Sequence, residues 1–198
     1  MIQPVQLSKA LIAVADDNAF QRKLVRSTLT SFGADRFVEL TEAEEALIGA
    51  ERQRPDIMII DLNMNDGLAL VRHIRELKSE ARYVPIIAMS SDVSRGAVLR
   101  AIELGAHEYL AKPFGPSTLR MRIESMLRSP RPFVRTKTFF GPVPYSKNLR
   151  AMLHVDRDRI ENYCTALRRP AVPTECPLAE ACLCRRFAAP SNSGAFMI

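Results

Sequence analysis

Five times within the first 125 or so residues, a short apolar run gives way to a stretch whose apolar residues recur at helical spacing. That alternation narrows the folds open to this chain more than any other feature. The strands read as Leu11–Ala15, Phe37–Leu40, Ile57–Ile60, Val84–Met89 and Glu108–Ala111. Between them, Phe20, Leu24, Val25 and Leu29 mark a first helix that stops at Gly33, a residue suited to a left-handed cap. Thr41-Glu42-Ala43-Glu44 fits a capping box for a second helix that should end before Pro55. Later helices carry Leu68, Val71, Ile74 and Leu77, then Val98, Leu99 and Ile102, then Leu119, Ile123, Met126 and Leu127.

Parallel strands need crossover connections, and those connections are right-handed. Five βα units therefore predict an α/β fold, a doubly wound parallel sheet of the flavodoxin-like (βα)5 type with strand order 2-1-3-4-5. In that order the carboxyl ends of the first and third strands lie side by side at the switch point, where open α/β sheets hold ligands. The run Ile57–Ile60 ends in Asp61, and the first strand is followed by Asp16-Asp17. Carboxylates about 4 Å apart repel by roughly 4 kcal/mol at an effective dielectric of 20, so a hard divalent cation such as Mg²⁺ is the expected compensator. The same acidity argues against a flavin phosphate, which needs backbone donors and no negative charge. The fourth strand ends at Ser90-Ser91 and the fifth at Lys112-Pro113-Phe114, adding a hydroxyl and an ammonium to the same crevice.

With Asp16-Asp17, Asp61, Ser90, Tyr109 and Lys112-Pro113-Phe114 at these spacings, residues 8–128 resemble the receiver domains of bacterial two-component response regulators. The resemblance implies that Asp61 is the phosphoacceptor, that Asp17, Asp61 and the Asn63 backbone carbonyl bind Mg²⁺, and that Asp16 helps through water. It implies catalytic support from Lys112 and Ser90, a switch made of Ser90 and Tyr109, and a cis bond before Pro113. The donor would be a phosphohistidine on a histidine kinase or phosphotransfer protein, and the phosphorylated form would engage an output protein. On this reading the chain is no enzyme beyond its own phosphoryl transfer and dephosphorylation. Asn65 stands where a proline is common in the family, which bears on the rigidity of the loop after Asp61. An Asp-nucleophile phosphatase of the haloacid-dehalogenase type is the enzymatic alternative. It needs a second Asp two residues on, and Asn63 cannot transfer that proton.

Residues 129–198 are a different kind of chain. Residues 1–124 carry 16 Lys/Arg against 17 Asp/Glu, while residues 125–198 carry 12 against 5. Basic residues interleaved with Phe133, Phe139, Phe140 and Tyr145 suit nucleic acid or an acidic partner, which keeps a DNA-binding regulator as an alternative. Pro130, Pro132, Gly141, Pro142 and Pro144 favour instead a solvated linker or a segment that docks on its own domain, with nucleic-acid binding weak at most. One amphipathic helix is expected over Asp156–Leu167, which is not a helix-turn-helix, and the Ala-, Pro- and Ser-rich tail should be disordered. Cys164, Cys176, Cys182 and Cys184 lack the paired spacing of structural zinc sites and read as reduced thiols. His73 and His107 read as surface residues. No apolar run approaches the ~20 residues of a membrane span, so a cytoplasmic protein without membrane contact is expected.

Overall fold

The structure, a computed structural model of the chain, describes residues 7–128, 131–145, 147–153 and the pairs 160–161, 163–164 and 169–170. After a 3₁₀ turn at Leu7–Lys9 come β1 (Leu11–Ala15), α1 (Ala19–Thr30), β2 (Arg36–Leu40), α2 (Ala43–Gln53), β3 (Ile57–Asp61) and α3 (Gly67–Glu76). A second 3₁₀ turn (Glu80–Tyr83) precedes β4 (Ile86–Ser90), α4 (Arg95–Glu103), β5 (Glu108–Ala111) and α5 (Pro116–Arg128). The five strands are parallel and ordered β2-β1-β3-β4-β5, the flavodoxin-like order expected from the alternation.

Strand periodicity divides the core in two. Ala13, Ala15, Met58, Ile60, Ile86 and Ala88 face α2, α3 and α4, whereas Ile12, Val14, Ile57, Ile59, Ile87 and Met89 face α1 and α5. Every residue of β3 is buried, including Asp61. A charged group ending a strand with no exposed residue must find its partners in the crevice.

Local signals hold with shifts of a residue or two. Gly33 takes a left-handed φ of 91° after α1, and Arg54 closes α2 at φ 49° before Pro55. The turn into α2 differs from the expected box: Glu45, not Glu44, reaches back, accepting from the Thr41 N–H at 2.8 Å and the Thr41 hydroxyl at 3.1 Å. The fourth strand starts at Ile86 rather than Val84, because Pro85 has no N–H to pair; its carbonyl still accepts from Met58 N–H at 2.8 Å.

The basic segment that follows α5 docks. β6 (Phe133–Arg135) and β7 (Phe140–Pro142) form an antiparallel hairpin, and α6 (Lys147–Met152) follows. Phe133 is fully buried, edge-on to Tyr83 at 5.0 Å and to His107 at 5.5 Å between ring centroids. Gly141 lies against Gly105, whose φ is 99°, so closely that a Cβ on Gly141 would stand 2.8 Å from the Gly105 Cα. This contact is made at the amino ends of β4 and β5, the end of the sheet away from Asp61. The helix expected over Asp156–Leu167 is not found in its described residues. β8 (Ile160–Glu161) pairs with β6, and β9 (Tyr163–Cys164) pairs with β10 (Arg169–Pro170). The open edge of β6 is what Ile160 and Glu161 satisfy. Cys176, Cys182 and Cys184 lie outside the described residues. Among the described residues no helix is long and apolar enough to cross a membrane.

Candidate functional site

Each chemically active side chain sits where a strand ends. Asp61 closes β3 in register with Met89, Ser90 closes β4, and Lys112 follows β5, its N–H donating to the Ser90 carbonyl at 2.7 Å. Lys112 Nζ is 2.9 Å from Asp61 Oδ2 and 3.2 Å from Asp16 Oδ2. Asp16 is fully buried and Asp61 nearly so, while Asp17 is exposed. Burial pushes the Asp16 carboxyl above its usual range, and the charge of Asp61 adds to this; the Asn18 N–H and Lys112 oppose it. The Lys112–Pro113 bond is cis, as the resemblance implied.

Oxygens of Asp16, Asp17 and Asp61 lie within 4.8 Å of one another, so the three carboxylates can hold a metal ion. The donor set fits a hard cation: three carboxylates face one ammonium, and all donors are oxygen. Asn63 donates its N–H to Asp61 Oδ1 at 3.1 Å. Its side-chain oxygen accepts from the Ser91 N–H at 2.9 Å and from the Ser91 hydroxyl at 3.2 Å. The amide that disqualified a dehalogenase-type acid thus ties the β3 loop to the β4 loop.

That loop is held without the proline. Met64 is buried, the Gly67 N–H donates to the Met64 carbonyl at 3.0 Å, and Asp66 takes a left-handed φ of 58°. A Cβ at Gly67 would collide with the Asp61 carbonyl oxygen and stand 2.9 Å from Met64 Cγ. Glycine is therefore a steric requirement of the loop that follows Asp61, one that no sequence pattern announced.

Ser90 and Tyr109 share a neighbour. The Ser90 hydroxyl accepts from the Asp92 N–H at 3.1 Å, and the Tyr109 hydroxyl donates to the Asp92 carbonyl. Asp92 was not singled out from the sequence, since its role uses only its backbone.

His107, expected at the surface, is not there. It is buried between the guanidinia of Arg75 and Arg131, and burial, reinforced by those two charges, holds its pKa well below the ordinary imidazole range. Its Nδ1 accepts from the Ile86 N–H at 3.2 Å. Buried Arg75 spans Gly105 and Arg82 by donating to both carbonyls, and Arg131 donates to the His107 carbonyl. Burial lowers the Arg75 pKa to about 9, so it stays charged at neutral pH. Arg131 comes from the extension, 24 residues on, and Arg75 lies 32 residues back, so no local pattern could have announced them. His73 is exposed as expected.

Comparison with known proteins agrees with this geometry. A family model for the response regulator receiver domain matches residues 12–124. "Probable transcriptional regulator ycf27" of Porphyridium aerugineum is 36% identical over 126 residues, 62% of this chain and 50% of its own length. A "Chemotaxis protein CheY homolog" of Campylobacter jejuni is 31% identical over 121 residues, 59% of this chain and 91% of its own length. This chain thus matches only half the length of the first relative and nearly all of the second. Among solved structures, the receiver domain of a sensor histidine kinase from Pseudomonas aeruginosa PAO1, with a magnesium ion coordinated in its active site cleft, is 31% identical with a TM-score of 0.52. That match covers 59% of this chain and 94% of the other. The chemotaxis response regulator CheY4 of Vibrio cholerae is 29% identical with a TM-score of 0.54, over 59% of this chain and 97% of its own.

Proposed function

The chain belongs to the response regulator receiver domain family, and on that premise we propose that it takes a phosphoryl group onto Asp61 from a phosphohistidine partner and changes protein-partner binding as a result. The observation that carries this is Lys112 Nζ, 2.9 Å from Asp61 Oδ2 and 3.2 Å from Asp16 Oδ2 at the carboxyl end of the sheet. A carboxylate oxygen of Asp61 forms a bond to phosphorus as the P–N bond of the donor breaks, the electron pair going to the imidazole nitrogen. Asp17 and Asp61, with the Asn63 carbonyl and Asp16 in support, would hold Mg²⁺, which when bound neutralises charge on the transferring group. Lys112 supplies the fixed positive charge and Gly67 keeps the loop tight behind the nucleophile. The chain's catalysis ends with its own phosphoryl transfer and dephosphorylation.

The product carries close to two negative charges and strong acceptors, so the Ser90 hydroxyl hydrogen has a new partner. Since Ser90 and Tyr109 both hold Asp92, movement of one is felt by the other. About 1–3 kcal/mol of differential interaction alters partner affinity 5- to 150-fold. Incubation of the full chain with Mg²⁺ and a small-molecule phosphodonor should label Asp61, and Asp61→Asn should abolish labelling. Label on another residue with Asp61 untouched would remove the proposal.

Relatives named as transcriptional regulators keep DNA binding as a second reading, supported by the basic extension. Nanomolar, sequence-selective binding to duplex at physiological salt would favour it. Weak binding with a steep salt slope would leave output to a protein partner.

A further inference from the structure

Away from Asp61, a cleft of about 770 Å³ opens between the last turn of α3, the Glu80–Tyr83 turn, the end of α4 and the tip of the β6–β7 hairpin. Its volume lies in the range of small-molecule sites. Six Lys and Arg side chains line it against two carboxylates, Glu76 and Glu103. Arg75 is committed to backbone carbonyls. Arg72, Lys78, Arg82 and Lys137 make no ion pair with any described residue. Arg82 Nε is buried without a hydrogen-bond partner. The guanidinia of Arg82 and Arg135 are both held against the Phe140 ring, 3.9 and 4.2 Å from its centroid. Arg72, Lys78, Arg82 and Lys137 thus line one cavity without a paired carboxylate among the described residues, and their mutual repulsion is relieved when an anion enters.

We propose that this cleft binds a small polyphosphorylated anion. Guanidinium forks match phosphate oxygens in pairs and Lys137 adds a point charge, while the hairpin tip contributes the hydroxyl of Thr138. One phosphate would leave most of the cations uncompensated, so a chain of two or more is the fit. The ligand bridges two parts of the molecule. Arg72, Lys78 and Arg82 come from the (βα)5 unit and Lys137 from the extension, so occupancy clamps the hairpin onto the domain.

Calorimetric titration of the full chain at fixed ionic strength, in EDTA to silence the carboxylate site, tests this. Inorganic tripolyphosphate, a nucleoside triphosphate and a short single-stranded oligonucleotide are the three probes. Tripolyphosphate or the nucleotide should bind saturably with one site, and the tighter of the two identifies the source of the phosphates. Lys137→Gln, at an exposed position where folding is not at stake, and Arg82→Gln should each weaken binding at least tenfold. Asp61→Asn should leave it unchanged, which separates this site from the phosphoacceptor. No saturable binding, wild-type affinity in both variants, or tighter binding of the oligonucleotide than of either small anion would overturn the proposal.

Discussion

Ser90 and Tyr109 meet on one residue, the first accepting from the Asp92 N–H and the second donating to the Asp92 carbonyl. A rearrangement of the β4–α4 loop can therefore begin at the Ser90 hydroxyl and end at the Tyr109 ring. Tyr109→Phe removes one of the two attachments without touching the nucleophile. It should leave Asp61 phosphorylation within about twofold of wild type. Amide hydrogen exchange across residues 90–95, with and without phosphodonor, should lose most of its phosphorylation-dependent difference. An undiminished difference would mean that the tyrosine does not report on the site.

The two aspartates after β1 should separate by function. Asp17 is exposed and Asp16 is buried against Lys112. Asp17→Ala should weaken Mg²⁺ binding more than Asp16→Ala, because only Asp17 is a direct ligand in the proposed site. In the absence of metal, Asp17→Ala should raise stability slightly, by about 0.5 kcal/mol, since it removes a like charge from the cluster. Metal titration and chemical denaturation of the same samples check both statements; equal loss of affinity in the two variants would refute the assignment.

Gly67→Ala puts a methyl into the Asp61 carbonyl oxygen and against Met64. The helix start must move, at about 2–3 kcal/mol, and Asp61 moves with it. Both the denaturation midpoint and the labelling rate should fall. A variant as stable and as readily phosphorylated as wild type would show that the loop has room to spare.

His107 gives a pH dependence whose sign is determined by burial. Its folded pKa lies below the unfolded value near 6.5, so below pH 6.5 the unfolded chain binds more protons than the folded one. This contribution is complete above the unfolded pKa and is lost as pH falls toward the folded value. The slope is at most about 1.4 kcal/mol per pH unit. Arg75, Arg131 and, one residue on, Glu108 are the charges around it. His107→Gln keeps a hydrogen-bonding side chain and removes the titration, so stability measured between pH 5 and 7.5 should flatten relative to wild type. An unchanged slope would assign the pH dependence to other groups.

How far the sequence was legible follows from the range over which each signal acts. Asp16, Asp61, Ser90 and Lys112 could be found because a strand end is a local event, and the order 2-1-3-4-5 brings four such ends together. The box at Thr41 was one residue off because Glu44 and Glu45 are both within reach and only the backbone path decides. His107 was misread because Arg131 and Phe133 lie far along the chain. The hairpin strands are three residues each, too short for any period to show. Ile160–Cys164 looked helical for the converse reason: a helical spacing of Ile160, Tyr163 and Cys164 was outweighed by a free strand edge on β6.

β5 carries Lys112 just beyond one end and His107 just before the other, with four residues between them, about 13 Å of extended chain. Phe133 bears on the His107 ring and Asp61 on the Lys112 ammonium. β5 is the edge strand of the sheet, and its four residues alternate between buried and half-buried. The extension and the carboxylate crevice thus meet opposite ends of the same four-residue strand.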